Sequence, residues 1–442
     1  SLMQHIDKEI LKHYVIILHR RKTNFMNESI SSIENHICRL CDESTLRPFL
    51  DLGTMPIANA FLSSEQLSEP EYTFNLITGF CESCFMVQLI ETVDPNMLFH
   101  DNYAYFSSIS HVMDQHFADL ADIISNEIFY DDKLSVVEIG SNDGILLEKI
   151  SGYSANTIGI EPSANVAAVA RSKGLEVISE FFNEDLAGKI FSDYSAAQLV
   201  VGANVLCHIP DLNELARALN VVLDDEGVFI FEDPYLLDIV SKLAYDQIYD
   251  EHFYYFTITS LSTLFERHGL RIFRVEQIPV HGGSMRIYGC KSESSRSTEH
   301  SVVNQLQKES DNGLSHLESY VAFADNVKKS RTSLVDLLGN LQNEGKRIVG
   351  YAASSKGTVI LNYCGVGADI LEYVCDNTPS KQGLYTPGTH IPIVSIDTFA
   401  SDYPDYAFIL AWNHMKEISD KEKEFRSRGG RFIAHIPEAR IV

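Results

Sequence analysis

The chain has 442 residues, with 35 Lys+Arg against 61 Asp+Glu and a formal net charge of −26. That length holds two to four domains at roughly 100–200 residues each, and 45% hydrophobic with 22% charged residues describes a folded globular protein, not a disordered or fibrous one. So acidic a chain lacks the basic face a nucleic-acid partner requires, and no apolar run reaches the roughly 18–20 residues of a membrane span. The expectation is therefore a cytoplasmic protein with neither nucleic acid nor membrane as partner, and a monomer or weak oligomer.

Residues 1–30 carry no organised pattern and are set aside as a tag or N-terminal extension. Residues 31–100 hold two identical knuckles, Cys38-Arg-Leu-Cys41 and Cys81-Glu-Ser-Cys84. Two residues between thiols let one tight turn aim both sulfurs at a tetrahedral zinc. Redox dithiols would sit at a helix start in a thioredoxin-like unit, and disulfides do not suit a reducing compartment. Structural zinc on Cys38, Cys41, Cys81 and Cys84 is the reading, because four thiolates complete the shell. The remaining cysteines, Cys207, Cys290, Cys364 and Cys375, lie in apolar surroundings and read as small core residues.

Residues 101–290 change character. A helical pattern spans His111–Ile128, followed by short β-branched runs at Ser135–Ile139, Thr157–Ile160, Glu176–Ser179, Gln198–Val201 and Val228–Phe231. Apolar strands alternating with amphipathic helices predict a parallel sheet covered on both faces. Ligands bind such sheets at the carboxyl ends of the strands.

The first of these strands runs into Glu138-Ile-Gly-Ser-Asn-Asp-Gly144, which lacks the full G-x-G-x-x-G pattern of a dinucleotide loop. Its acids would repel a pyrophosphate and suit a cationic ligand. Twenty-one residues beyond Gly140, the second strand ends in Glu161-Pro162, where an acid can accept both hydroxyls of an adenosine ribose. Together with the helical run Thr259–His268 before Gly269, these features resemble a class I S-adenosylmethionine (SAM) methyltransferase. A dinucleotide-binding or purely structural unit is the alternative. The resemblance implies that SAM meets Glu138, Gly140, Asn142, Asp143, Gly144, Glu161, Pro162 and Asn204.

After the fourth strand comes Asn204-Val-Leu-Cys-His-Ile-Pro210, and after the fifth comes Tyr249-Asp-Glu-His-Phe253. With the double CxxC and the later segments Lys356-Gly357 and Lys381-Gln-Gly383, these motifs resemble the sugar C-methyltransferases of deoxysugar biosynthesis. The resemblance runs from Cys38 to the C-terminus. It implies methylation of C3 on a nucleotide-linked 4-keto-6-deoxysugar, such as a dTDP or other NDP sugar. It also implies His252 as base, with Tyr249 and Glu251 beside it, His208 near the enolate and Tyr103 reaching in from the zinc side. Carbon α to a ketone needs a base and an enolate-stabilising group, and imidazole titrates near working pH. Tyr249 and His252, three apart, can share a helical face; Glu251 and His252, being adjacent, cannot unless the segment is irregular. Tyr105, Tyr254 and Tyr255 read as packing.

In residues 291–442, a polar, exposed stretch around Lys291–Gln307 precedes a helix over Leu314–Glu344, with strands at Arg347–Tyr351, Ile370–Cys375, Ala407–Ala411 and Arg431–Ala434. This predicts a second, smaller doubly wound sheet. Its loop offers Ser354, Ser355 and Lys356, with Lys381 beyond, as a nest for a sugar nucleotide's diphosphate. The expected architecture is α/β: a zinc-binding domain, a Rossmann-like SAM domain and a C-terminal Rossmann-like domain. Competing readings are an O- or N-methyltransferase, a zinc-containing scaffold and a nucleotide-sugar oxidoreductase.

Overall fold

The computed structural model describes residues 36–99, 106–109, 111–128, 134–152 and 154–442. Tyr103 and Tyr105 lie outside the described residues. The first sheet is antiparallel and starts with β1 (Leu46–Pro56), β2 (Thr73–Cys81) and β3 (Val87–Leu89). Both Cys knuckles flank it, so the 39 residues between them are spent mainly on the β1–β2 pair.

The second sheet contains β4 (Leu134–Ile139), β5 (Ser154–Ile160), β6 (Glu176–Ile178), β7 (Ala197–Ala203) and β8 (Leu223–Pro234). All five are parallel, and every residue of β4 is buried. This is why each read as a continuous apolar run rather than an alternating one. The helix over His111–Ile123 continues through a π-turn to Ile128, covering the predicted span. The next strand, β9 (Tyr254–Tyr255), leaves this sheet and pairs with β3, adding a fourth strand to the zinc-side sheet. A hairpin of β10 (Leu270–Ile278) and β11 (Ser284–Lys291) then completes seven strands in the order β10-β11-β8-β7-β4-β5-β6, with β11 antiparallel to both neighbours. The chain winds outward in one direction from β4 and in the other from β7. The crevice above that switch, at Gly140 and Asn204, is where ligands bind in such sheets.

The third sheet has β12 (Ile348–Tyr351), β13 (Val374–Asp376), β14 (Ile393–Ser395), β15 (Tyr406–Ile409), β16 (Arg431–Ala434) and β17 (Arg440–Ile441). Its order is β14-β13-β12-β15-β16-β17, parallel except for β17. The strand expected over Ile370–Cys375 is shorter and later, because the Ile370 and Leu371 N–H groups both turn back to the Gly367 carbonyl.

The stretch Lys291–Gln307 is not simply an exposed linker. Ser294 and Val302 are buried, and a helix over His300–Asp311 starts within it. That helix carries Glu309, 1% exposed, whose carboxylate accepts from the Ile258 and Thr259 N–H groups, the Thr259 hydroxyl and the Tyr235 hydroxyl. It therefore caps the helix Ile258–Arg267 of the middle sheet. The long helix Leu317–Asn343 reaches the zinc-side sheet through Tyr320, whose ring lies 5.1 Å from Phe49 and 4.7 Å from Phe80.

Candidate active site

The four predicted thiols converge. Cys38 and Cys84 lie 3.6 Å apart, as do Cys41 and Cys81, and all four sulfurs fall within 4.8 Å of one another. Tetrahedral zinc with bonds of about 2.3 Å requires sulfurs about 3.8 Å apart. Each knuckle closes alike: Asp42 and Phe85 take positive φ and send their N–H groups back to the Cys38 and Cys81 carbonyls. The Gln88 side-chain amide donates to Cys38 Sγ at 3.0 Å and Thr45 Oγ1 lies 3.2 Å from Cys81 Sγ, contacts that suit thiolates. These residues fit a closed, structural zinc.

A cavity of about 580 Å³ opens at the switch point of the middle sheet. Gly140, Asn142, Glu161, Pro162 and Asn204 line it. Gly140 has φ +69°, and a Cβ there would meet Val205 at 2.9 Å; Asn142 and Asn204 also take left-handed φ. Glu161 accepts from the Asn142 N–H at 3.1 Å and the Ser163 N–H at 2.7 Å, so it fixes the loop while facing the cavity. Burial raises its carboxyl above the usual range, opposed by those donors.

Glu138, Asp143 and Gly144 are not among the cavity's lining residues. Glu138 is buried on β4, and burial, then Glu161, raises its carboxyl well above normal. Asp143 accepts from the Ser108 hydroxyl, and Gly144 begins the helix Ile145–Ser151, where a Cβ would meet Leu175 at 2.4 Å. The acidic character that favoured a cation thus reaches the cavity face through Glu161, with the other two acids beneath the loop.

Opposite the loop, Tyr249, Glu251, His252 and His208 line the same cavity. The segment is a turn closed by the His252 N–H on the Tyr249 carbonyl, not a regular helix or strand, so adjacent Glu251 and His252 both reach one site. The His252 ring lies 4.1 Å from Tyr249 and 5.2 Å from His208. His252 Nδ1 sits 2.9 Å from the Gln247 carbonyl oxygen. A carbonyl only accepts, so Nδ1 carries the proton and Nε2 holds the lone pair. Burial, then His208 and Lys356, drives the His252 pKa well below its ordinary value, and burial brings His208 down to about 4. Both rings are neutral at physiological pH, the form in which an imidazole can take a proton.

Cys207 is a core residue as expected, 1% exposed, and it borders the two histidines. Its Sγ lies within 4.8 Å of one ring nitrogen each of His208 and His252, although burial and Asp233 raise the thiol well above its usual range. Asp233 accepts from the Cys207 N–H at 3.0 Å, and burial lifts its carboxyl to about 7.

The C-terminal domain closes the cavity with Ser354, Ser355, Lys356 and Lys381. Ser354 is committed as N-cap of the helix Ser355–Cys364: its hydroxyl accepts from the Gly357 N–H and donates to the Leu410 carbonyl. Lys381 donates to the Ala353 carbonyl and lies over the Phe61 ring. Burial lowers the Lys356 pKa, while Asp246 and Glu251 hold its charge.

Sequence reasoning missed Asn59, His281 and the His116–Glu232 pair. Asn59 bridges Glu251 and Ser355. His281 lines the cavity in a left-handed conformation before two glycines, and burial, then Lys356, depresses its pKa to about 3. Glu232, at the end of β8, is held between His116 at 2.6 Å and Arg286 at 2.5 Å, beneath the Asn204 turn. The His-Gly-Gly run was the one legible signal among them, since a non-glycine at positive φ marks strain.

Three family models match the chain: "Putative zinc binding domain" over residues 38–99, "Methyltransferase domain" over 111–275 and "C-methyltransferase C-terminal domain" over 279–437. The C-methyltransferase NovU of Streptomyces niveus is 35% identical over 405 residues, covering 92% of this chain and 96% of that protein. Among solved structures, a SAM-dependent methyltransferase from Anabaena variabilis shares 14% identity, covering 40% of this chain and 85% of that one, with a TM-score of 0.34. The magnesium protoporphyrin IX methyltransferase of Synechocystis, solved with bound SAH, shares 14% identity over 41% of this chain and 88% of its own, at 0.32.

Proposed function

This chain belongs to the SAM-dependent C-methyltransferases, and we propose that it methylates C3 of a nucleotide-linked 4-keto-6-deoxysugar. The observation that carries this reading is one cavity lined by the loop at Gly140, a neutral His252, the N-terminus of the helix Ser355–Cys364 with its Lys356, and Lys381 from a neighbouring turn. A donor site, a base and an anion cradle within one cavity suit a substrate that is a carbon acid at one end and a diphosphate at the other.

Gly140, Asn142, Glu161, Pro162 and Asn204 would hold SAM, and the buried Glu161 carboxylate that opens on the cavity fits a ribose. When bound, SAM supplies an electrophilic methyl group. His252 Nε2 removes the proton from C3, which becomes nucleophilic only as an enolate. The Gln247 carbonyl steadies the resulting imidazolium through Nδ1–H, and Glu251 adds a carboxylate to the same site. His208 stabilises the developing enolate oxygen. Tyr249, against the His252 ring, is the rival base. Lys356, Lys381 and the helix N-terminus at Ser355 hold the diphosphate, with Ser354 shaping that turn.

The test is mass spectrometry of nucleotide-linked 4-ketosugars incubated with SAM and the enzyme, with NMR to place the added methyl. A gain of one methyl at C3 is expected; a methyl on oxygen or nitrogen, or no gain with any ketosugar, would overturn the reading.

A further inference from the structure

The residues just beyond β1 leave the zinc-side sheet in a turn, and they touch the turn at 249–253 on one side and the helix Ser355–Cys364 on the other. The Ala58 N–H donates to Asp250 Oδ1 at 3.0 Å, and the Ala58 carbonyl accepts from the Thr358 hydroxyl at 2.8 Å. The Asn59 side chain repeats the pattern one residue later. Its Nδ2 donates to Glu251 Oε1 at 2.6 Å and its Oδ1 accepts from the Ser355 hydroxyl at 3.0 Å. A carboxylate only accepts here and the hydroxyl supplies the proton, so these two partners dictate which way the amide faces. Asn59 also lines the cavity.

We propose that Asn59 is a positioning residue that couples occupation of the diphosphate cradle at Ser355–Lys356 to the placement of Glu251 beside His252. The proposal rests on the functional reading above. Ser355 begins the helix whose N-terminus faces the cavity; its single hydroxyl proton stays on Asn59 Oδ1, so an anion held there by the helix N–H groups and Lys356 orders Ser355 without claiming that bond, and the amide passes the constraint to Glu251. Asparagine suits the task because it joins a donor and an acceptor on one short, planar group. Aspartate has the same shape and keeps the acceptor for Ser355, but it sets a second carboxylate against Glu251.

The experiment uses the full-length zinc- and SAM-loaded protein and compares wild type with Asn59→Asp and Ser355→Ala. Backbone hydrogen exchange is followed by mass spectrometry with and without dTDP or UDP. In wild type, nucleoside diphosphate should slow exchange in residues 352–358 and also in 249–253. In Asn59→Asp, protection should persist in 352–358 and vanish from 249–253. With an accepted ketosugar, Asn59→Asp should lower kcat ten- to a hundredfold with KM changed less than threefold, the scale of a lost hydrogen bond to a charged group. The double variant should be no slower than Asn59→Asp alone, because both changes act through Glu251.

Protection of 249–253 that survives in Asn59→Asp, protection confined to 352–358 in wild type, or multiplying kcat losses in the double variant would each overturn the proposal. Lack of protection in 352–358 by either nucleotide would instead remove the diphosphate reading and the coupling with it.

Discussion

Arg39, which stands between the first two thiols of the zinc site, donates from Nη2 to the Phe253 carbonyl oxygen at 3.2 Å, and Phe253 is the residue after His252. Its Nη1 donates to the Leu89 carbonyl on β3, and the guanidinium lies over the Tyr254 ring at 5.1 Å. The cysteine knuckle thus holds the chain that follows His252, the proposed base, although 214 residues separate Arg39 from Phe253 in sequence. A structural zinc on these thiols would therefore also brace the turn proposed to be catalytic.

Replacing Arg39 with Met should lower kcat at least tenfold while SAM affinity moves less than threefold. Steady-state kinetics with calorimetric SAM titration checks this. Metal analysis should find about one zinc per chain, and chelation should release β9 together with the knuckles. Equal rates for Arg39→Met and wild type would mean that the turn holds His252 without this anchor.

Glu161 performs two tasks, which raises the stakes at that position. Its carboxylate accepts two loop N–H groups and faces the cavity. Glu161→Ala should weaken SAM binding by roughly 1.5–3 kcal/mol, the scale of charge-assisted hydrogen bonds. Glu161→Gln, retaining an acceptor oxygen, should lose less. Unchanged affinity in the alanine variant would place the ribose elsewhere.

Deprotonation and methyl transfer can be read separately. His252→Asn should abolish both deuterium exchange at the substrate's C3 and methylation, with SAM affinity nearly intact. His208→Asn should slow methylation but keep partial exchange, since a lost oxyanion contact costs on the order of 3–4 kcal/mol, not the whole barrier. If the His252 variant exchanges at the wild-type rate, Tyr249→Phe and Tyr103→Phe become the decisive variants.

As the pH falls, two buried histidines should subtract stability while buried carboxylates act in the opposite sense. His208 and His281 titrate at about 4 and about 3 in the folded protein because burial penalises their charged forms, against about 6.5 in an unfolded chain. At these two sites the unfolded state binds more protons as pH falls below about 6.5, so their contribution to stability declines through that window to about 3, while Asp233, raised to about 7 by burial, contributes in the opposite sense. Urea midpoints measured from pH 7 to 4 should drop less, or rise more, in His208→Asn and in His281→Asn than in wild type, since each variant lacks one of these penalties. A slope that neither variant alters would assign the acid sensitivity to other groups.

The four converging thiols, the five parallel strands of the middle sheet and the loop at Gly140 were all legible in the sequence, for local reasons. A CxxC knuckle is one turn, a doubly covered strand is one apolar run, and Gly140 and Glu161 are spaced by a single β-α-β unit. His252, His208, Tyr249 and Glu251 came from motif resemblance, and the irregular turn that lets Glu251 stand beside His252 was posed by the sequence only as a condition. Tertiary structure alone decided the rest. β9 is two residues long and carries no period, so its pairing with β3 left no trace in the pattern. Asn59 is one polar residue in a loop, indistinguishable by type from any solvated asparagine until Glu251 and Ser355, 192 and 296 residues away, close on its two ends. Glu138 and Asp143 read as cofactor-facing acids because charge is visible in sequence and depth is not. Periodicity and spacing report neighbours along the chain; a cavity assembled from three sheets depends on contacts between residues that no local pattern links.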